Sequence, residues 1–554
     1  MKRSLNIFVL TFAVMFPKVV LCQDSPTGEI QDAQILIEKD KELSLPKSNR
    51  LFKPALITPA NTQEIPVNYS FSNPSFDFEP YVSDVKAQEL QISNLSIEDV
   101  NYVKLGFGNF ISPLVEGYYG YRQRSNAFSA FLNHESFARG PVREEESATS
   151  NTLLRLNSRH DLSKFMVNPQ FNYGRESYYF YGYDDLEETL NPNPVLVTDQ
   201  IVVNNFSVGG RISTMGNADF STYFNPQFGV TSMGTTDLMF NKEVFFSLDI
   251  GGDYKISESL NGSITSDYEW LSYESATTQK RFVFSARPEL QWKSESLVIQ
   301  GGINLTLAED SSTSTKFHVY PLLDVKWFVS DDLTVFTKVS GGMTANRLSD
   351  LITTNRYLND SLALLNTNQQ FKIKAGVSYQ VADQLSISPF ISYARSVNES
   401  FFIGSANDSS RFETVYEFGN FDQVNLGASV VYSRGKSTVA ADLVYNSYTT
   451  QNLEEAWYLP TTQLSVRYDQ GFGEKFDLYS SLNLLDGIKG VQSLGGLTED
   501  LKAILDLNLG AKYQVNSSFT AFTEFKNVVG GEYARYLNYP VRGLSGKLGF
   551  IYRL

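Results

Sequence analysis

Apolar and polar residues alternate along most of this chain, from about residue 100 to its end. In the segment 371–381 every second residue is apolar or aromatic, and the residues between are polar or glycine. The segments 424–432 and 505–513 repeat the pattern. Because successive side chains of a β-strand point to opposite faces, a period of two predicts strands with one apolar and one polar face.

The length of these runs separates two kinds of β protein. Strands of soluble proteins average about five or six residues, whereas a strand that crosses a membrane needs about nine to eleven. Aromatic residues also lie near the strand ends, as Phe371 and Tyr379 or Tyr432 and Tyr445 do, which is typical of rings at the membrane interfaces. We therefore predict an all-β protein, a transmembrane antiparallel β-barrel, rather than a secreted β-rich enzyme or adhesin.

The connections between the predicted strands alternate between two kinds. One kind is short and polar, as at 123–125, 216–217, 257–258, 294–295, 330–332, 383, 435 and 516–517. The other is mostly long: 139–149, 184–198, 346–368, 399–420, 450–460, 487–499 and 529–540. Outer-membrane barrels have short periplasmic turns and longer extracellular loops, so this alternation predicts about 22 strands between residue 101 and the C-terminus.

Two features complicate this assignment. Some predicted strands contain a proline, which removes a ladder hydrogen bond: Pro169, Pro226, Pro288, Pro321 and Pro389. Either bulges absorb these prolines or the runs that contain them are not strands. The stretch 410–417 is also interpreted as a β-ribbon within a loop, and counting it in the wall would change the strand number by two.

The N-terminal residues 1–22 have the pattern of a secretory signal peptide. Lys2 and Arg3 precede the apolar run 5–16, which is too short to span a bilayer, and the predicted cleavage follows Cys22. Lipidation of Cys22 is the alternative, although Leu21 is larger than the residue that usually precedes a lipidated cysteine. Cys22 is the chain's single cysteine, so the mature protein would form no disulfide.

Residues 23–98 differ from the rest of the chain, because they are rich in proline and show little periodicity. We interpret them as a periplasmic or lumen-inserted segment that precedes a barrel at 99–554. Ile35, Leu36 and Ile37 form a short apolar island that could add as a strand to a partner's sheet edge. The alternative is an ordinary linker.

Composition and motifs narrow the chemistry. A net charge of −15 argues against nucleic acid as a partner. The three histidines, His134, His160 and His318, fall on different predicted strands, and no phosphate-binding glycine loop or nucleophile elbow is present. We predict no catalytic residues, no metal site and no cofactor. The protein is therefore not expected to be an enzyme.

The C-terminus resembles the tail of TonB-dependent receptor barrels. The residues that carry this resemblance are Asn527, Tyr533, Tyr539, Pro540 and Gly543, followed by a closing strand with Leu548, Phe550, Tyr552 and Leu554 on its apolar face. The final residue is Leu where the family has an aromatic. The loop at 346–358 resembles an internal passage of the same barrels, and a mature start at Gln23 resembles Bacteroidetes exported proteins.

The resemblance implies an outer-membrane barrel that imports a solute, but the family's plug domain is reduced or absent in this sequence. A barrel of about 22 tilted strands is on the order of 40 Å across, so an open lumen would make the membrane leak. We expect the N-terminal segment, inward-folded loops or a partner protein to fill it.

Two functions are therefore expected. The first is uptake of a large solute across the outer membrane, energised by an inner-membrane protein. The alternative is a non-transporting scaffold or accessory subunit of an outer-membrane assembly or export complex, which would bind other envelope subunits. In both cases the partners include outer-membrane lipid and, during biogenesis, the barrel-assembly machinery.

Overall fold

The computed structural model describes residues 101–182, 199–215, 219–235, 237–311 and 313–554. The predicted signal peptide (1–22) and the N-terminal segment (23–98), with Ile35, Leu36 and Ile37, lie outside these ranges and remain predictions. The turn predicted at 216–217 lies outside them as well.

A 22-stranded antiparallel sheet forms the wall of the molecule. In chain order its strands are β1 Tyr102–Gly108, β2 Ser112–Gln123, β3 Asn126–Phe137, β4 Thr149–Asp161, β5 Phe165–Tyr178, β6 Ile201–Thr214, β7 Phe220–Gly234, β8 Met239–Lys255, β9 Leu260–Glu274, β10 Thr278–Lys293, β11 Leu297–Asp310, β12 Thr313–Ser330, β13 Leu333–Ala345, β14 Asn366–Ala382, β15 Leu385–Val397, β18 Phe421–Arg434, β19 Ser437–Thr449, β20 Thr462–Phe472, β21 Phe476–Asp486, β24 Ile504–Gln514, β25 Phe519–Lys526 and β26 Ser545–Arg553.

The connections contain a few shorter elements. Two hairpins lie outside the wall, β16 Glu399–Gly404 with β17 Phe412–Glu417, and β22 Lys489–Val491 with β23 Thr498–Asp500. The first confirms that 410–417 belongs to a β-ribbon within a loop. Within the described ranges the helices are a 3₁₀ turn at Glu144–Ser147 and the α-helix α1 at Leu348–Thr354. Neither approaches the length of apolar helix that a membrane crossing requires.

The sheet closes on itself between its first and last strands. β1 pairs with β2 on one side and with β26 on the other, from Tyr102 opposite Arg553 to Gly108 opposite Lys547. Each remaining wall strand pairs with its two neighbours in chain order. The predicted fold class, an antiparallel barrel of 22 strands, is therefore confirmed.

The alternating pattern distributes residues between the two faces of the wall as predicted. Apolar side chains such as Ile373, Leu426 and Leu509 are exposed on the outer face, with 42%, 59% and 37% of their surface accessible. A soluble protein would bury such residues, whereas lipid solvates them. On β26, Leu548 and Phe550 belong to the same exposed outer surface.

The prolines that complicated the strand assignment lie inside wall strands, and the ladders accommodate them. Four of them pair with a residue on only one of the two neighbouring strands: Pro169, Pro226, Pro288 and Pro389. At each of these prolines the ladder to the other neighbouring strand skips a pair of residues. Because proline has no N–H to donate, the skipped pairs are where a hydrogen bond would be missing. At Pro321 one ladder stops altogether.

Replacing Gly549 by valine should weaken the closing seam. Gly549 lies opposite Gly106, and a Cβ at this position would run into the carbonyl oxygen of Leu105 and lie 2.6 Å from the Phe522 ring. Because backbone must move to relieve the clash, we expect the free energy of unfolding to fall by about 1–3 kcal/mol. The measurement is the urea midpoint of the purified barrel, read from the mobility of the folded form on unheated gels.

The control is Leu548→Val, a change at the neighbouring lipid-facing position, which should leave the midpoint nearly unchanged. Equal midpoints for the two variants would contradict the importance of the close approach at the seam.

Candidate functional site at the outer mouth of the barrel

The long connections fold towards one another at one end of the barrel and share an apolar core. We call this assembly the lid: the connections 346–365, 398–420, 450–461, 487–503 and 527–544, with 179–182. By the rule that short turns are periplasmic, this is the extracellular end. Its buried residues include Phe180, Leu351, Ile352, Leu358, Leu364, Phe401, Phe402, Phe412, Trp457, Tyr458, Ile488, Val491, Tyr536 and Tyr539.

Three tyrosines from widely separated parts of the wall meet in the lid. The rings of Tyr357 and Tyr539 stack with their centroids 3.4 Å apart, and Tyr181 packs edge-on against both, at 5.9 and 4.9 Å. They belong to the β13–β14, β25–β26 and β5–β6 connections. Connections that leave the wall so far apart can meet only over the lumen. The lid therefore covers the mouth.

Tyrosine hydroxyls join the connections by hydrogen bonds. Tyr536 donates to the backbone carbonyl of Thr354 at 2.5 Å, and Tyr539 donates to the carbonyl of Ser410. Burial raises the pKa of Tyr539 well above its ordinary value, so the hydroxyl keeps the proton that it donates. A buried tyrosine needs such a partner, and for both of these tyrosines the partner is another connection.

A buried ion pair attaches the lid to the wall. Arg281 on β10 and Glu243 on β8 lie 2.7 Å apart, with 0% and 2% of their side chains exposed. The carboxylate of Glu243 also accepts the backbone N–H of Leu348, the first residue of α1, at 2.8 Å. Arg281 donates to the carbonyl of Asn346 at 2.9 Å. These contacts hold the start of the 346–365 connection against the inner wall.

A single carboxylate links two other connections. Glu417, at the end of β17, accepts backbone N–H groups from Gly419 at 2.6 Å, Gln451 at 3.1 Å, Asn452 at 2.8 Å and Leu453 at 2.9 Å. Burial opposes its ionisation, but the four donors outweigh that effect and hold the pKa of Glu417 below its ordinary value. The charged form therefore fixes the β19–β20 connection to the hairpin.

The tail residues predicted from the sequence lie in the β25–β26 connection. Asn527 has a positive φ of 50° and donates from its amide to the carbonyls of Gly531 at 3.2 Å and Arg542 at 2.9 Å, tying the two ends together. Tyr533 is buried, and its carbonyl accepts the N–H of Val541 at 3.0 Å. This loop architecture is what presents Tyr536 and Tyr539 to the lid.

The remaining predicted positions have different surroundings. Pro540 forms an isolated bridge with Ala534, while a Cβ on Gly543 would meet open space, so sterics do not explain this glycine. Tyr552 and Leu554 lie exposed at the end of the closing strand. The functional roles predicted for these residues stay predictions.

Sequence reasoning missed the residues that hold the lid in place. Arg281 and Glu243 are ordinary charged residues within strand-like runs, and their only signal was that each lies on the strand face turned away from lipid. Glu417 lies in the β16–β17 hairpin outside the wall and carried no such signal. Tyr357 was noticed as part of a family-like passage but not as a contact of Tyr539.

The inner wall carries paired charges near the seam. Lys104 lies 2.9 Å from Glu524, and Glu135 contacts both Lys547 and, at 3.5 Å, Lys526. Such a polar lumen is typical of outer-membrane barrels. Within the ranges that the structure describes, no three His, Cys, Asp or Glu side chains are grouped closely enough to hold a metal ion.

The sequence matches no family model and no curated protein. The fold, however, is similar to the solved structures of proteins that take up iron. The FrpB iron transporter from Neisseria meningitidis is 9% identical with a TM-score of 0.65, each chain being 82% covered. The ferric-catecholate import receptor Fiu from E. coli is 9% identical with a TM-score of 0.63, with 83% of this chain and 82% of that chain covered.

A third similar structure is P. aeruginosa FpvA bound to a heterologous pyoverdine. It is 10% identical with a TM-score of 0.63, and the likeness covers 82% of this chain and 71% of that chain. At these identities the likeness concerns the fold. The predicted resemblance to TonB-dependent receptor barrels is thereby confirmed, and these similar proteins include a transporter and an import receptor.

Replacing Arg281 by methionine should loosen the lid. The change leaves the Glu243 carboxylate buried without its cation, and breaking one side of a buried pair costs about 3–5 kcal/mol. We expect faster proteolysis of the 346–365 connection in proteoliposomes. Arg287→Met on the same strand is the control, because Arg287 pairs with Asp267 in a half-exposed setting that should contribute only about 0–1 kcal/mol. Equal cleavage rates would contradict the anchoring role.

Glu417→Gln should remove a pH-dependent part of lid stability. Since the pKa of Glu417 is lower in the closed lid than its ordinary 4.5, the carboxylate stabilises the lid above that pH. This stabilisation is lost as the pH falls through the lowered pKa. At pH 7 the variant should lose about 1.5–3 kcal/mol, measured by hydrogen exchange of the lid amides, and the difference from wild type should shrink towards pH 3.

Glu455→Gln is the matched control, because Glu455 contacts Lys489 in a partly exposed pair. It should leave lid exchange close to wild type at both pH values. A difference between wild type and Glu417→Gln that stays constant with pH would show that the charge is not what holds the connection.

Proposed function

We propose that the chain is an outer-membrane uptake protein for a large solute, with the lid as the gate at its extracellular mouth. The observation that carries the proposal is the covered mouth on a closed barrel with the fold of outer-membrane importers. The fold of those importers supports residence in the outer membrane. Export through a signal peptide cleaved after Cys22 belongs to the same proposal.

The physical requirement behind the proposal is a gate. A lumen of about 22 strands is wide enough to leak, so it must be closed at rest and opened for a solute. The lid is suited to this because its parts come from different connections, joined by side chains rather than by a continuous sheet. Opening would need energy to expose its buried aromatic residues, which an inner-membrane protein acting on the 23–98 segment would supply.

The solute class is proposed from the similar proteins. They are an iron transporter, a ferric-catecholate import receptor and FpvA in complex with a pyoverdine and iron. A ferric chelate is therefore the first solute to test. The chain's role is binding and passage, and the proposal includes no enzymatic step.

Locking the lid tests the gate directly. Leu358 and Phe412 form a backbone bridge between the β13–β14 connection and β17, so a cysteine pair there should form a disulfide between two lid connections. The only native cysteine is Cys22. We expect oxidised Leu358→Cys/Phe412→Cys cells to take up a labelled ferric chelate at least about tenfold more slowly than reduced cells.

The control pair is Phe402→Cys/Thr414→Cys, which joins β16 to β17 within one hairpin, so uptake should be the same in its oxidised and reduced cells. Uptake that is the same in the locked, control and gene-deleted strains for every ferric chelate tried would overturn the importer proposal.

The scaffold function is kept as a second candidate because of one observation. The lid has a core of fully buried aromatic and aliphatic side chains and a buried ion pair, features that also suit a permanently closed mouth. A scaffold should co-purify stoichiometrically with other envelope proteins after gentle detergent extraction. Recovery of a lone monomer would overturn it.

A further inference from the structure

The wall is incomplete on the extracellular half of β12. β12 pairs with β11 along nearly its whole length, but its ladder to β13 runs only from Leu323 to Ser330. Residues 313–322 therefore have a free edge on one side. Pro321, which has no N–H, lies where the ladder stops.

The gap arises because β13 leaves the wall and turns inward. Its pairing with β14 shifts register between Ser340 and Gly342. Beyond that point Met343 and Ala345 pack against Phe245, Leu271, Val283 and Ala308 of β8 to β11. This inward course leads directly into the lid connection 346–365, so the lid and the gap share one cause.

Part of the gap lies at the depth of the lipid. On the outer face of β12, Phe317 and Val319 are 61% and 55% exposed, and Leu323 and Trp327 continue the same apolar band. In hydrocarbon an unpaired strand edge is costly, because water does not satisfy its N–H and C=O groups. The edge at 317–322 therefore needs a polar occupant or a partner strand.

A polar cavity of about 250 Å³ lies beside the free edge. Its polar lining includes Asp310 of β11, Lys316 and His318 of β12, and Asn366 and Asn368 of β14. The side-chain oxygen of Asn366 is buried without a hydrogen-bond partner among the described residues, and only 2% of the residue is exposed. A buried acceptor in this state points to a ligand that donates a hydrogen bond.

The ligand chemistry follows from the lining. Lys316 offers a cation for an anionic group. The Asn366 side-chain oxygen and the Asp310 carboxylate, which already accepts the backbone N–H of Asn366 at 3.2 Å, are acceptors for a hydroxyl or amine donor. The apolar part of the ligand would remain outside the gap, where Phe317 and Val319 face lipid. The polar side chains of the cavity lie together at one depth in the membrane. A lipid headgroup would contact them there, whereas a partner β-strand would run along the whole free edge.

We propose that the β12–β13 gap and its cavity bind the phosphate-bearing headgroup of a membrane lipid, whose acyl chains stay in the bilayer. The lipid phosphate lies at Lys316, and its donor group lies at Asn366. The bound headgroup completes the wall where β13 has left it. This site goes beyond the proposed uptake and holds for the scaffold function equally.

The first test uses the full chain, delipidated in mild detergent, and native mass spectrometry. Phosphatidylglycerol should bind saturably at one molecule per barrel. Diacylglycerol with the same acyl chains, which lacks the phosphate, should bind at least tenfold more weakly. Absence of saturable binding, or equal binding of the two lipids, would overturn the proposal.

Variants locate the site. Lys316→Gln should weaken phosphatidylglycerol binding at least tenfold, whereas Lys326→Gln, on the same face of β12 but in its paired half, should not. His318→Leu and Asn366→Asp change two other residues of the cavity lining and should also weaken phosphatidylglycerol binding. Gel mobility of the folded form verifies that each variant is a barrel. Equal effects of the two lysine variants would contradict the assignment.

Crosslinking in cells separates a lipid from a strand. A photoreactive residue at Phe317 should yield a lipid adduct, while the same residue at Leu426, which is lipid-facing on a strand paired on both sides, serves as the background. A specific adduct to a polypeptide at Phe317 would show that a protein strand fills the gap and would overturn the lipid proposal.

Discussion

The structure depends on one constraint: a sheet in hydrocarbon must pair its backbone N–H and C=O groups within itself. Closure between β1 and β26 meets this constraint at the two ends of the sheet. The same constraint sets the strand lengths and the alternation of apolar and polar faces. It also explains why proline occurs in the wall only where the ladder to one neighbouring strand skips a pair of residues or stops. It also makes the parting of β12 from β13 the feature of the wall that most needs an explanation.

Closure creates a second problem, because 22 strands enclose a wide lumen. The lid covers this lumen at the extracellular end. Its connections are long because they must reach the middle of the mouth, and they are apolar because they pack against one another there. The anchors differ in kind: Arg281 and Glu243 fasten one connection to the wall by a buried ion pair, while Glu417 fastens another by accepting four backbone N–H groups.

Local pattern was enough to predict the wall. Alternation at 371–381, the short and long connections, and the tail resemblance together predicted the strand number and the all-β class, because each of these signals arises from neighbours along the chain. The ribbon at 410–417 was found for the same reason. Proline positions were flagged correctly as places where a ladder would be interrupted.

The lid and the gap were not predictable in the same way. Tyr357 and Tyr539 are far apart in sequence, and their contact depends on how the whole barrel places their connections. The inward turn of β13 begins where its register with β14 shifts between Ser340 and Gly342, because β14 has one extra residue there, and a run of alternating residues does not reveal such a shift. The sequence left three ways to fill the lumen: the N-terminal segment, inward-folded loops or a partner protein. The described residues show inward-folded loops.

The central claim is that the lid seals the barrel, and conductance across planar bilayers tests it most directly. We expect the full-length protein to be silent at rest and a variant with both anchors removed, Arg281→Met with Glu417→Gln, to show frequent openings of a wide pore. A wild-type protein that conducts steadily, or a double variant that stays as silent as wild type, would contradict the claim.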